Sequence, residues 1–318
     1  MNKKRCINVF LTILIILSSI LIISCSRESH QDPAEIIEIK KLAYATMAEQ
    51  RTPEQFYEIL NIWDQYQTKD KELHDLKQNS ETKMYMYYEH PSKKGVLLIH
   101  GLGASPNEMQ PLAKELENKG YTIINLRLSG HGEDLDILEK TEWEQWYNEV
   151  KFAYDVLDYL TDETYVVGMS TGASLGLLLA KDKEYDGLVA VAPAAKFKDW
   201  KVNIIGFLKH FKKYSKRDLT DEEKITYSEL LPTESVHELK KLVRAEKKVL
   251  KQITEPTIIM QATNDPRMKK ESAEYIYDNI ATKQESKGIL WFESDEHVIL
   301  NGKTQEFVIS EIIKFIEG

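Results

Sequence analysis

Along most of this chain, short runs of consecutive apolar residues alternate with longer stretches in which apolar residues return every three or four positions. The short runs fall at 95–99, 121–126, 165–167, 188–193, 256–262 and 288–292, with a further candidate strand at 83–89. Gly95-Val96-Leu97-Leu98-Ile99 is continuously apolar, as expected of a strand covered on both faces in a parallel sheet. The longer stretches carry the helical period. Trp143, Trp146, Val150, Ala153 and Leu157 share one helix face and read as a core-facing stripe rather than an aromatic ligand box. Residues 173–180 form another apolar helical run. Strands alternating with helices predict an α/β architecture.

Two segments depart from this alternation. Before the first strand, 34–49 and 53–76 place Ile36, Ile39, Leu42 and Ala43, then Phe56, Ile59, Leu60 and Trp63, at helical spacing. They predict a helical extension over 34–80 that packs on the core or lifts it from a membrane, with partner binding as the alternative. An insertion over about 194–254 then separates the fourth and fifth of the six main runs. It reads as a lysine-rich aromatic helix at 200–214, a polar stretch, and an amphipathic helix at 236–253.

The joints between strands and helices carry the candidate chemistry. Gly168-Met169-Ser170-Thr171-Gly172 joins the run at 165–167 to the helix at 173–180. In that context Gly-x-Ser-x-Gly reads as a nucleophile elbow. The turn strains the serine, and the residues two before and two after it must be small. The run at 95–99 enters His100-Gly101-Leu102-Gly103-Ala104-Ser105, whose small residues let backbone N–H groups approach a substrate. In an acyl-transfer enzyme one oxyanion donor comes from this loop and another from the residue after the nucleophile, here Leu102 and Thr171. Each such donor contributes about 3–4 kcal/mol of barrier lowering. His100, before a glycine turn, reads as a brace for the loop and not as the base.

An acid and a histidine should follow such a serine in that order. The run at 256–262 ends in Thr263-Asn264-Asp265-Pro266, which puts Asp265 at a C-terminal strand end, where parallel sheets place their chemistry. After 288–292 comes Glu293-Ser294-Asp295-Glu296-His297. His297 is placed to take the serine proton, and Asp265 to hold the imidazole in the right tautomer. Asp295 is the rival acid, but two positions before the histidine it is poorly placed to reach the far ring nitrogen.

These motifs, with Val96-Leu97-Leu98-Ile99-His100-Gly101-Leu102-Gly103 and Leu128-Ser129-Gly130-His131-Gly132, resemble the α/β-hydrolases. Among them the chain is most similar to the carboxylesterase and monoacylglycerol-lipase-like serine hydrolases, from about residue 85 to the C-terminus. The resemblance implies a mostly parallel central sheet flanked by helices, shorter here than the family's usual eight strands. It implies ester hydrolysis through Ser170, His297 and Asp265, with no metal and no organic cofactor. It also makes 194–254 a helical cap over the site, where Phe207, Leu208 and Phe211 among lysines suit a lid face or a membrane-facing surface. The bland alternative is a solvated helix packed on the core. Two features depart from the family pattern. Glu296 stands where a small residue usually precedes the histidine, and a carboxylate there would favour the imidazolium. Arg267-Met268 replaces the hydrophobic pair that often follows the acid's proline. The substrate class expected is a small-molecule or lipid ester, of short-to-medium acyl chain or a monoacylglycerol. A thioester or amide on the same triad, and a catalytically silent binding module, remain the alternatives.

The front of the chain changes the expected location. Lys3, Lys4 and Arg5 precede a mostly apolar stretch at 7–23, the layout of an export signal over 1–24. Leu21-Ile22-Ile23-Ser24-Cys25 resembles a bacterial lipobox, so Cys25 is expected to carry lipid. Residues 25–33 then form a tether and 81–318 the hydrolase domain. An uncleaved anchor helix is the alternative, and either way the domain is expected outside the cytoplasm on a membrane. The chain's two cysteines are Cys6 and Cys25, so cleavage leaves no pair for a disulfide. Stability then rests on a core, and roughly 290 residues can bury about three quarters of their unfolded surface. The formal charge is −9. Without Lys3, Lys4 and Arg5 it becomes −12, from 39 basic and 51 acidic residues. That balance argues against nucleic acid or anionic headgroups as partners and reads as simple solubility.

Overall fold

The computed structural model describes residues 32–49, 52–73, 84–88, 93–132, 135–217, 219 and 223–318. The expected signal peptide and Cys25 lie outside them. Helices α1 (Ala34–Met47) and α2 (Pro53–Leu73) come first, followed by β1 (Tyr85–Tyr87), β2 (Lys94–Ile99), α3 (Gln110–Asn118) and β3 (Thr122–Leu126). Then come α4 (Leu135–Lys140), α5 (Trp143–Leu160), β4 (Glu163–Met169), α6 (Thr171–Leu179) and β5 (Gly187–Val191). The insertion holds a 3₁₀ turn at Trp200–Ile204, α7 (Ile205–Leu208), β6 (Tyr214–Lys216), α8 (Glu223–Thr226), β7 (Leu230–Pro232) and α9 (Thr233–Val249). The chain closes with β8 (Thr257–Ala262), α10 (Glu271–Asn279), β9 (Lys287–Phe292) and α11 (Gln305–Glu317).

Seven described strands pair in the order β1-β3-β2-β4-β5-β8-β9. Only β1 runs antiparallel to its neighbour; all the other pairs in this sheet are parallel. Successive side chains of a strand point to opposite faces, so the apolar runs feed two cores. Val96 and Leu98 of β2 join Leu112 and Leu116 of α3 and Ile312 and Ile316 of α11 on one side. Leu97 and Ile99 join Val150, Ala153 and Leu157 of α5 on the other. From β2 the chain crosses to β3 on one side, and from β4 it crosses to β5 on the other. The order therefore reverses between β2 and β4, and a crevice opens there beyond the strand ends.

The two leading helices pack on the core. Ile36, Ala43, Ile59, Ile62 and Trp63 are buried in the same cluster as α5, and Trp63 stacks on Phe152 with ring centres 5.8 Å apart. A polar clamp fixes α2 more firmly. Arg127, at the end of β3, is fully buried and donates from Nε to Asp70 Oδ2 at 3.1 Å and from Nη2 to Asp70 Oδ1 at 2.5 Å. Its Nη1 donates to the His131 carbonyl at 3.1 Å.

The insertion differs from the expected helix at 200–214. Helix there is limited to the 3₁₀ turn and α7, ending at Leu208, because Tyr214–Lys216 instead pairs antiparallel with Leu230–Pro232 as a small ribbon. Ile205 is buried, whereas Phe207 and Phe211 are 64% and 75% exposed, with ring centres 4.9 Å apart. The amphipathic helix is present as α9, its Leu239, Leu242 and Val243 turned to the core. Among the described residues no helix is long and apolar enough to cross a membrane.

Candidate active site

Ser170 sits between β4 and α6 with φ 53° and ψ −104°, a left-handed backbone that few residues other than glycine adopt. Such strain costs on the order of 1–3 kcal/mol and persists only where the surroundings enforce it. Here the flanking glycines allow the enforcement. A Cβ on Gly168 would lie 2.3 Å from the carbonyl group of Gly172, and one on Gly172 would lie 2.0 Å from the Ile99 carbonyl oxygen. Strand β2, strand β4 and helix α6 thus meet at a point where side chains do not fit. The Ser170 N–H donates to the Val191 carbonyl at 2.8 Å, which pins the elbow to β5.

His297 and Asp265 converge on it from the ends of β9 and β8. Nε2 of His297 is 3.1 Å from Ser170 Oγ, and Nδ1 is 2.8 Å from Asp265 Oδ2. The other carboxylate oxygen, Oδ1, accepts the Arg267 and Met268 amides at 2.7 and 2.9 Å. Burial opposes charge on Asp265, but the hydrogen bond and charge of His297 and those two amides outweigh it, so its carboxyl lies below the usual value. Burial also pulls the His297 pKa down. Asp265 works the other way, but Arg267 and Arg217 add to the lowering, and the net shift is downward. His297 is therefore neutral, and able to accept a proton, at neutral pH. The expected pull of Glu296 toward the imidazolium is not realised. Its carboxylate turns away to accept the Lys303 amide at 3.0 Å and the Ser294 hydroxyl at 3.3 Å. Asp295 is exposed and makes no hydrogen bond to His297.

The loop after β2 forms the opposite wall, with Leu102 in the lining. Thr171 is the first residue of α6, where an N–H has no carbonyl one turn back to bind. His100 braces this loop. Its Nε2 accepts the Leu128 amide at 3.1 Å, which leaves Nδ1 to donate to the Gly101 carbonyl at 2.9 Å. Burial lowers its pKa to about 4, so it stays neutral.

A cavity of about 550 Å³ opens above Ser170 and His297. The insertion supplies most of its apolar wall, including Val202, Ile205, Leu208, Leu231 and Leu239. The remaining lining includes four residues that the sequence reading did not assign to the site or noted only as a departure: Glu108, Arg217, Tyr227 and Arg267. The buried Glu108 carboxylate accepts the Gly101 amide at 2.6 Å and the Tyr227 hydroxyl at 2.8 Å. Burial raises its pKa despite those bonds and the nearby charges of Arg267 and Arg217. Further bonds tie the insertion to the β2 loop. The Ser228 amide and Arg217 Nη2 both donate to the Gly103 carbonyl, at 3.1 and 3.3 Å, and Asn107 Nδ2 donates to Thr226 Oγ1 at 2.7 Å. Away from the triad, Glu234, His237 and Glu238 bring possible metal-ligand atoms together. Lysines already engage both carboxylates, Lys209 on Glu234 at 2.9 Å and Lys241 on Glu238 at 2.8 Å.

Comparison with solved structures places this geometry in a known fold. The chain superposes on a structure reported for the metagenome-derived lipolytic enzymes LipS and LipT with a TM-score of 0.69, at 22% identity, covering 75% of this chain and 98% of that one. A monoacylglycerol lipase from Paleococcus ferrophilus gives a TM-score of 0.60 at 16% identity, covering 74% and 98%. This chain has the α/β-hydrolase fold. Residues 90–217 match the model of the serine aminopeptidase S33 family. Its sequence is 27% identical over 232 residues to a carboxylesterase of Bacillus subtilis (strain 168), covering 70% of this chain and 92% of the relative. A thermostable monoacylglycerol lipase from Bacillus sp. (strain H-257) is 28% identical over 234 residues, covering 72% and 92%. The hydrolase fold thus accounts for the strand order, the elbow after β4 and the loop after β2. The leading helices lie upstream of the matched family segment.

Proposed function

We propose that the protein is a serine hydrolase of carboxylic esters, acting on short-to-medium acyl esters or monoacylglycerol. The observation that carries this reading is the unbroken hydrogen-bond chain Asp265–His297–Ser170 on the floor of an apolar-walled cavity. Ser170 Oγ attacks the ester carbonyl while His297 Nε2 takes its proton. Asp265 keeps the proton of the neutral ring on Nδ1 and stabilises the imidazolium. The amides of Leu102 and Thr171 hold the oxyanion, a role suited to fixed donors in a site that excludes water. The imidazolium then protonates the departing alcohol. Water, activated by the same ring, releases the acid from the acyl-serine.

Fluorophosphonate labelling of the full-length chain in neutral detergent, beside Ser170→Ala, tests this reading. Wild type should be labelled stoichiometrically on the peptide containing Ser170 and should turn over p-nitrophenyl butyrate. The Ser170→Ala protein should do neither while melting at nearly the same temperature. Absence of labelling in a folded wild type would sink the hydrolase assignment.

The location proposed is the cell envelope, through lipid on Cys25. The basic residues Lys3, Lys4 and Arg5, the apolar stretch and Ser24-Cys25 support it. Metabolic labelling with a fatty-acid analogue should mark wild type and not Cys25→Ala. A lipidated Cys25→Ala protein would overturn the anchor.

A further inference from the structure

The charge lining the cavity is opposite in sign to that of the chain. The protein carries a formal −9, yet the cavity wall includes Lys201, Lys212, Arg217 and Arg267 against the carboxylates of Asp199 and Glu108. Burial pushes the Glu108 pKa up, and the two arginines oppose that shift. The two arginines reach the site from different elements, Arg217 from the end of β6 and Arg267 from the loop after β8. They are close enough to press on one another. Burial and then the charge of Arg267 lower the Arg217 pKa to about 10. Both also bias His297 and Glu108, so their charge is felt where the ester must sit.

Neither guanidinium forms an ion pair with a carboxylate among the described residues. Arg217 Nε is buried without a hydrogen-bond partner, and Nη2 makes one bond, to the Gly103 carbonyl. The Glu108 carboxylate offsets the repulsion between the two guanidinium groups only in part, and an anion that also met the unused buried donor would relieve the rest. A guanidinium is the side chain best matched to the paired oxygens of a carboxylate or phosphate. The insertion's apolar wall, by contrast, suits a hydrocarbon chain.

We propose that Arg217 and Arg267 hold an anionic group, carboxylate or phosphate, on the alcohol portion of the ester, so that charged esters with an apolar acyl chain are preferred over neutral ones. This rests on the ester-hydrolase reading and names the substrate class of that same site.

The test compares octanoyl esters of glycerol, of glyceric acid and of glycerol 3-phosphate, with the full-length chain in neutral detergent. At low salt, kcat/KM for at least one charged ester should exceed that for the neutral ester by about tenfold or more, as a charge-assisted contact provides. The excess should shrink as ionic strength rises. Arg267→Gln, on an exposed side chain, and Arg217→Gln should each bring the charged-to-neutral ratio toward one, and Arg217→Lys should keep part of it. Whichever charged ester leads tells phosphate from carboxylate. A wild-type ratio at or below one, with neutral turnover and Ser170 labelling intact, overturns this proposal alone. So does a high ratio that both substitutions leave unmoved. Loss of all ester turnover and of labelling removes the hydrolase reading as well.

Discussion

Asp265→Asn should lower kcat by about ten-thousand-fold, as loss of the orienting acid does in other triads, while leaving the fold intact. The two carboxylate oxygens have separate duties. Oδ1 accepts the Arg267 and Met268 amides, and an asparagine carbonyl can keep both bonds. Oδ2 accepts from His297 Nδ1, and there an asparagine presents an NH₂ group instead. The ring must then accept at Nδ1 and carry its proton on Nε2. In that tautomer it cannot take the proton of Ser170. Steady-state kinetics on p-nitrophenyl butyrate, with a melting curve, check the claim. A loss of less than tenfold would mean that another acid orients the ring, and Asp295→Asn would then be the decisive comparison.

Asp70→Asn should destabilise the protein by about 3–5 kcal/mol, the range for removing one member of a buried ion pair. Asparagine can retain one oxygen, but the buried Arg127 guanidinium loses the negative charge of Asp70. Chemical denaturation of the full-length chain measures the change. Replacing both partners with apolar residues, Asp70→Leu with Arg127→Met, should recover much of the loss, because the desolvation cost goes with the charges. If Asp70→Asn shifted the unfolding midpoint by less than about 1 kcal/mol, an exposed-pair value, the clamp between α2 and the core would be energetically minor.

The parts of this molecule that were legible in the sequence are those whose cause is local. The run 95–99 is apolar throughout because β2 is covered on both faces, and Ser170 is flanked by glycines because a Cβ on either would strike backbone. Asp265 and His297 could be placed because each follows a strand directly. What the sequence concealed depends on distant partners. Three-residue β6 has no pattern of its own and is a strand only because β7 lies beside it. Glu108, Arg217, Tyr227 and Arg267 come from four separate segments, so no spacing announces their meeting at one cavity. Asp70 and Arg127 are 57 positions apart, and each alone reads as an ordinary surface charge. The direction taken by the Glu296 carboxylate was hidden because it is set by the turn that brings the Lys303 amide and the Ser294 hydroxyl to one oxygen.

The bonds from Ser228 and Arg217 to the Gly103 carbonyl have a consequence for how this protein could diversify. Insertions between the strands of such folds are natural places to exchange one specificity for another, because the sheet beneath stays the same. Here the exchangeable piece also props the neighbour of Leu102. A transplanted insertion would bring a new cavity wall and at the same time leave Gly103 without two of its donors and Glu108 without the Tyr227 hydroxyl. New specificity in this lineage therefore requires residues 103 to 108 to change together with the insertion, two distant stretches of gene inherited as one functional unit.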